Sequence, residues 1–271
     1  ALVYRGLDIG SAKPDAATLA KYPHALIDLL DPEQAYSAAE FCRDARTAMD
    51  AIAARGKIPL LVGGTGLYFR ALGRGLSDLP QAEPALRAQI EAEAAERGWT
   101  AMHAELSQYD AVAGARIHPN DPQRIGRALE VIRLTGQPLS ALQGRAQVDL
   151  PYRILKLALL PERAVLHARI AERFDLMLAA GFLDEVRALV QRPGLHPQLP
   201  SMRCVGYRQA WQHLRGEIDA ETFRRTGIEA SRQLAKRQIT WIRSEHDVFV
   251  RDPLDADRLS DAKLLIEKAI G

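Results

Sequence analysis

The segment Ile58–Leu72, Ile-Pro-Leu-Leu-Val-Gly-Gly-Thr-Gly-Leu-Tyr-Phe-Arg-Ala-Leu, constrains the fold more than any other part of this chain. Ile58–Val62 has the apolar run of a buried strand, Gly63, Gly64 and Gly66 make a tight turn, and the residues after them continue as a helix. A buried strand that turns sharply into a helix points to an α/β architecture. The helix start there offers free N–H groups and a positive dipole end to phosphate-bearing ligands. The turn has no Gly-Lys-Ser/Thr, so it is not a P-loop, and its purpose has to be sought in the rest of the chain.

Three further strand candidates, Ala25–Leu30, Arg153–Leu160 and Val248–Val250, are separated by helical stretches, which predicts a parallel sheet covered by helices. Between Ser77 and about Gln147 no strand pattern occurs. That block offers Pro84–Arg97, Trp99–Leu106 and Pro122–Thr135 as helices, the last with Asp121 as N-cap and Gly136 and Pro138 as stop signals. The expectation is an α/β domain made of residues 1–76 and 148–271, interrupted by an all-helical insertion, 77–147. The chain opens at Ala1 without Met and without the central strand that usually begins a doubly wound sheet, so the native polypeptide is expected to continue upstream.

No apolar run approaches the roughly 20 residues that span a bilayer, and no leader resembles a signal peptide. Cys42 and Cys204 have no metal-ligand spacing and make no disulfide framework, so a reducing cytoplasm is expected. The net charge of +2 hides an uneven distribution: Ser201–Arg243 carries nine Lys/Arg against four Asp/Glu. Such a concentration suggests a polyanionic partner meeting one face, although a solvated basic helix has the same composition. On the helical region Glu162–Val190, with a break expected near Gly181, Arg173 falls at the edge of a stripe formed by Leu166, Ile170, Phe174 and Met177. It either snorkels to water or lines a buried anion site. On the helix Gln233–Arg243, Lys236 and Arg243 share a basic ridge with the preceding Arg232, while Leu234, Ala235, Trp241 and Ile242 supply a core face. Arg203 and Arg208 flank Tyr207, which suits phosphate contact with base stacking. Gln123, Arg124 and Arg127 occupy the first turns of another helix. His118, a lone histidine before a capped helix, reads as structural. No Ser-His-Asp or zinc constellation occurs, so the chain presents anion-binding groups without an obvious general base.

Several stretches together resemble the bacterial tRNA dimethylallyltransferase family. They are Arg5–Pro14, the Val62–Tyr68 elbow, His118–Asp121, Arg203–Gln209 and Arg232–Gln238, in the family's order over nearly the whole chain. The resemblance implies transfer of a dimethylallyl group from its diphosphate to N6 of adenosine 37, beside the tRNA anticodon. It also implies a P-loop-kinase-like fold with a helical insertion reaching the anticodon arm, Mg²⁺ as cofactor, and a cytoplasmic monomer with no membrane partner. The family's P-loop and general-base aspartate precede the segment aligned with Ala1, so Asp-Ser is expected immediately upstream.

By the same matching, the elbow faces the target nucleotide, which explains why it needs no lysine. Thr65 and Arg173 are the implied catalytic residues, with Arg173 at the diphosphate. The implied tRNA-facing positions are Ala1, Leu2, Thr65, Arg87, Gln123, Arg124, Ile125, Gly126 and Arg127, followed by Arg203, Cys204, Val205, Gly206, Tyr207, Arg208 and Gln209. Lys236, Arg237, Gln238, Ile239, Thr240, Trp241, Ile242 and Arg243 complete them. Two rivals remain. A small-molecule kinase of P-loop type would leave the basic segment unexplained, and a non-catalytic RNA-binding protein would leave Arg173 unexplained.

Overall fold

The structure, a computed structural model, describes residues 1–77, 79–144 and 150–270. In chain order the elements are α1 (Ala16–Lys21), α2 (Ala38–Ala53), α3 (Gly66–Arg74), α4 (Pro84–Arg97), α5 (Trp99–Tyr109), α6 (Ala111–Arg116), α7 (Pro122–Thr135) and α8 (Leu139–Leu142). They continue as β1 (Lys156–Leu159), α9 (Arg163–Ala179), α10 (Phe182–Val190), α11 (Tyr207–Leu214), α12 (Ala220–Arg243), β2 (Val248–Arg251) and α13 (Arg258–Ile270). The chain divides into two compact units, Ala1–Phe69 with Tyr152–Gly271, and Arg70–Pro151. The boundary expected at 147/148 lies outside the described residues.

In the first unit β1 and β2 pair in parallel, Lys156 opposite Val248 and Leu159 opposite Arg251; β1 lies within the expected Arg153–Leu160, and β2 runs one residue past the expected Val248–Val250. With helices around this small parallel sheet the chain is of α/β type. Two expected strands do not form. Ala25–Leu30 makes only a single bridge, Leu30 with Tyr4, because Leu26 and Asp28 take left-handed backbone angles that no strand can hold. Ile58–Val62 joins no ladder, since none of the described segments pairs with it; Leu60 and Val62 are 78% and 81% exposed instead of buried.

The core of this unit is aromatic. Phe182 meets Tyr207 edge-on at 5.1 Å and Phe174 meets Phe223 at 5.6 Å, with Leu7, Val186 and Met202 filling between them. The expected break after α9 is present at Gly181, whose φ is +95°. One carboxylate ties the N-terminal segment to this core: Glu185 accepts N–H bonds from Asp8, Ile9 and Gly10 at 2.9, 2.6 and 3.3 Å, and the Tyr207 hydroxyl at 2.7 Å. Lys13, whose side chain is 5% exposed, donates to Asp8 and Asp28, both at 2.5 Å, and to the Tyr4 carbonyl at 2.9 Å.

The glycine elbow packs against α12. A Cβ added at Gly66 would lie 2.4 Å from the Trp241 indole, and one at Gly64 would lie 2.2 Å from the Gln238 amide nitrogen. The two glycines are therefore spacers that let the turn approach a helix, with Phe69 stacking on Trp241 at 6.0 Å.

The described residues of the second unit form only helices. The ends expected for α7 are observed: Asp121 accepts the Arg124 N–H at 3.1 Å and Gly136 is left-handed at φ +69°. His118 accepts the Asn120 N–H at 3.1 Å and so belongs to the same turn. Ile90, Met102, Leu106, Ile125, Leu129 and Val131 build the core. Two buried carboxylates lie within it. Asp110 caps α6 through the Ala113 N–H at 2.9 Å and takes the Ser140 N–H and hydroxyl at 2.8 and 2.7 Å. Glu130, on α7, is wholly covered.

Two expectations follow. Gly66→Ala should destabilise the chain by about 1–3 kcal/mol, as overpacking against a ring does, and more than Gly64→Ala, because the Gln238 side-chain end can swing aside. Denaturant titration would check the order, and equal losses would contradict it. Acid should also weaken the fold. For Asp110 and Glu130, burial raises the pKa, but hydrogen bonds and neighbouring arginines outweigh it and hold both below their ordinary 3.8 and 4.5. A depressed folded-state pKa stabilises above the unfolded value and is lost as pH falls through the folded one. The thermal midpoint by circular dichroism should therefore drop below pH 4.5. A midpoint unchanged down to about pH 3 would exclude this contribution.

Candidate nucleic-acid interface

The basic side chains of the first unit are arranged by which helix face each residue occupies. α12 is a 24-residue helix, of which the expected Gln233–Arg243 segment is the second half. Lys236, Arg237, Thr240 and Arg243 are exposed, whereas Gln238, Ile239, Trp241 and Ile242 are half-buried. Leu234, expected on the core face, is instead 38% exposed; the elbow takes the Gln238 and Trp241 side of the helix. Among the described residues Lys236, Arg237 and Arg243 form no ion pair, so the ridge is charged and unneutralised. Arg232 is half-buried, reaching the His167 carbonyl at 3.5 Å while its Nε finds no partner.

Within the Arg203–Gln209 stretch Gly206, Tyr207 and Gln209 are buried, while Cys204 and Val205 are half-buried. Arg203 and Arg208 are exposed and form no ion pair among the described residues. Tyr207 has no exposure at all, which corrects the base-stacking expectation. Its ring is packed on Phe182, its hydroxyl donates to Glu185, and burial followed by that carboxylate pushes its pKa well above the ordinary value. Gln209 is buried too, accepting the Gly206 N–H at 3.0 Å, while Val205 is half-buried. The two arginines line a cavity of about 520 Å³ together with Trp211, Gln212 and Arg215. The Trp211 indole N–H is buried without an acceptor. Cys204 donates to the Pro200 carbonyl at 3.5 Å and lies close to Ala1, and burial raises its thiol pKa. The structure thus brings Ala1 beside the stretch, with Leu2 exposed next to it.

Thr65 is exposed at the elbow, its carbonyl accepting the Tyr68 N–H at 2.9 Å. Arg173 is exposed on α9, directly before the buried Phe174, with no ion pair among the described residues. None of the described residues forms a group of three or more His, Cys, Asp or Glu able to hold a metal ion.

In the helical unit, Gln123 and Arg124 are exposed at the start of α7, whereas Ile125 is wholly buried in the core and Gly126 is half-buried. Arg87 and Arg127 converge on Glu130. Arg87 reaches it through Nε at 3.0 Å and Nη2 at 3.2 Å, and Arg127 through Nη1 at 2.6 Å, while Arg127 Nη2 donates to the Pro80 carbonyl at 2.6 Å. Glu130 and Glu185 were not singled out in the sequence. Arg127 and Glu130 stand three apart on one helix, and Glu130 lies among the apolar positions Ile125, Ala128, Leu129 and Val131, which is the signal that marks it.

A family model described as IPP transferase matches residues 2–245. A relative from Thiobacillus denitrificans, named tRNA dimethylallyltransferase, is 57% identical over all of this chain and 87% of its own length. One of the same name from Stenotrophomonas maltophilia is 61% identical over 97% of this chain and 85% of its own. Among solved structures, the full-length tRNA isopentenylpyrophosphate transferase of Bacillus halodurans is 37% identical, with a TM-score of 0.67 over 99% of this chain and 86% of that one. A eukaryotic dimethylallyltransferase solved acting on tRNA, 23% identical, shares the fold at a TM-score of 0.78 over 98% of this chain and 69% of that one. With most of its length matched and relatives more than half identical throughout, the chain belongs to the IPP transferase family of prenyl-transferring enzymes.

Proposed function

We propose that this chain transfers a dimethylallyl group from dimethylallyl diphosphate to N6 of the adenosine next to the tRNA anticodon, position 37. The activity itself, dimethylallyl transfer to tRNA, is the one carried by the names of its close relatives. The observation that supports an RNA partner is the set of exposed, unneutralised cations Arg203, Arg208, Lys236 and Arg243 in one compact unit.

In this reading the adenine leaves its stack and enters beside the Gly63–Thr65 elbow, as base-modifying enzymes require. N6 forms a bond to C1 of the allyl group while the C1–O bond to diphosphate breaks, and the N6 proton passes to a base. The sequence resemblance assigns that base to an aspartate aligned before Ala1. Negative charge gathers on the departing diphosphate, where Arg173, unpaired and exposed, supplies a two-pronged cation. When bound, Mg²⁺ would offset the negative charge that gathers on the diphosphate oxygens. The helical unit, with Arg87, Gln123 and Arg124, meets the anticodon arm, and the P-loop-kinase-like sheet belongs to the same reading.

Full-length protein incubated with labelled dimethylallyl diphosphate and unmodified tRNA should label the tRNA without consuming nucleoside triphosphate. Triphosphate consumption without labelled tRNA would favour a kinase. Arg173→Ala should lower transfer by roughly 10²–10³-fold with the fold intact, and Arg173→Lys should rescue only part of it. Wild-type rates in both would remove Arg173 from the diphosphate. Replacing Lys236 and Arg243 together with alanine should flatten the salt dependence of tRNA binding, each by a slope of about 0.7–0.9. An unchanged slope would reduce the ridge to a solvated surface.

A further inference from the structure

We propose that Glu130 is a positioning residue that aims Arg87 at the tRNA backbone, with Arg127 as its brace and not as a second RNA contact. The inference rests on the proposal that the helical unit meets tRNA. Glu130 has no exposure, and its two oxygens accept four bonds, three from guanidinium nitrogens and one from the Glu83 N–H at 2.9 Å. The arginines differ in what this leaves free. Arg127 spends both terminal nitrogens inside the protein, one on Glu130 and one on the Pro80 carbonyl, and its side chain is 28% exposed. Arg87 lies along the carboxylate by Nε and Nη2, so its Nη1 stays free on a side chain 50% exposed. A guanidinium held along one edge is rigid and presents its remaining donors to a phosphate in one direction.

The sign of the charge makes this testable. A carboxylate near a polyanion opposes binding, so a surface selected only for positive charge would be better without it. Glu130 therefore weakens attraction in the mean field and strengthens binding only through geometry. It also holds the Glu83 N–H at the start of α4, so a purely structural role has to be separated from a positioning one.

The experiment measures binding of an unmodified tRNA transcript to full-length protein as a function of salt, with thermal midpoints recorded in parallel. Arg87→Ala should weaken binding about 5–10-fold and reduce the salt slope by about 1. Glu130→Gln, which removes a negative charge, should nevertheless weaken binding about 3–10-fold, and the double variant should be no weaker than Arg87→Ala alone. Glu130→Asp keeps the charge but withdraws the carboxylate, and should weaken binding in the same way. In transfer assays KM for tRNA should rise in Glu130→Gln while kcat stays. Equal or tighter binding by Glu130→Gln or by Glu130→Asp would overturn the positioning role, and so would losses that multiply in the double variant. If Arg87→Ala itself binds as wild type, the tRNA-facing assignment of the helical unit fails instead, a distinct outcome.

Discussion

The carboxylate of Glu185 is the contact on which the first unit's arrangement rests. It satisfies three successive backbone N–H groups, those of Asp8, Ile9 and Gly10, in a segment with no helix or strand of its own to use them. The same carboxylate accepts the Tyr207 hydroxyl, so the first turn of α11 and the N-terminal segment are fixed by one group on α10. Left without that acceptor, the buried hydroxyl and the turn amides would lose their partners, at about 1–3 kcal/mol for each buried group. Tyr207 is held inward, while the adjacent Arg208 is exposed, as is Arg203.

The helical unit solves a parallel problem with opposite materials. There the buried Glu130 carboxylate gathers three guanidinium N–H bonds and one backbone N–H, so two arginines expected at RNA are its partners. In both units a run of residues that looks uniform along the chain is divided by the fold into members that hold the structure and members that remain available. The exposed cations Lys236, Arg237 and Arg243 gain their freedom because α12 spends Gln238 and Trp241 on the glycine elbow.

Much of this was legible beforehand. α4 and α7 have the expected ends because Pro84 and Pro122 follow acidic caps, Glu83 and Asp121, and because such signals are local. The two strands that pair, β1 and β2, fall at the expected segments, β2 with one further residue, Arg251. Ala25–Leu30 failed because two left-handed residues, Leu26 and Asp28, interrupt an apolar pattern that composition alone reads as extended. Tyr207 was misjudged because an aromatic between arginines has the same pattern whether it stacks on a base or on Phe182. Glu185 is not legible because its partners, Asp8 to Gly10 and Tyr207, lie far along the sequence; Glu130 has a local partner in Arg127, but its bond to Arg87 spans 43 residues. Long-range polar contacts leave no periodic signature.

The lysine in the Asp8–Asp28 clasp has a chemical consequence. An ammonium group has three N–H donors, and in Lys13 all three have an acceptor: two carboxylates and the Tyr4 carbonyl. To reach a reagent the amine has to leave both carboxylates and open a side chain only 5% exposed. Acylating reagents that modify the other lysines will therefore reach Lys13 last. Its rate of modification becomes a clock for the opening of the N-terminal segment.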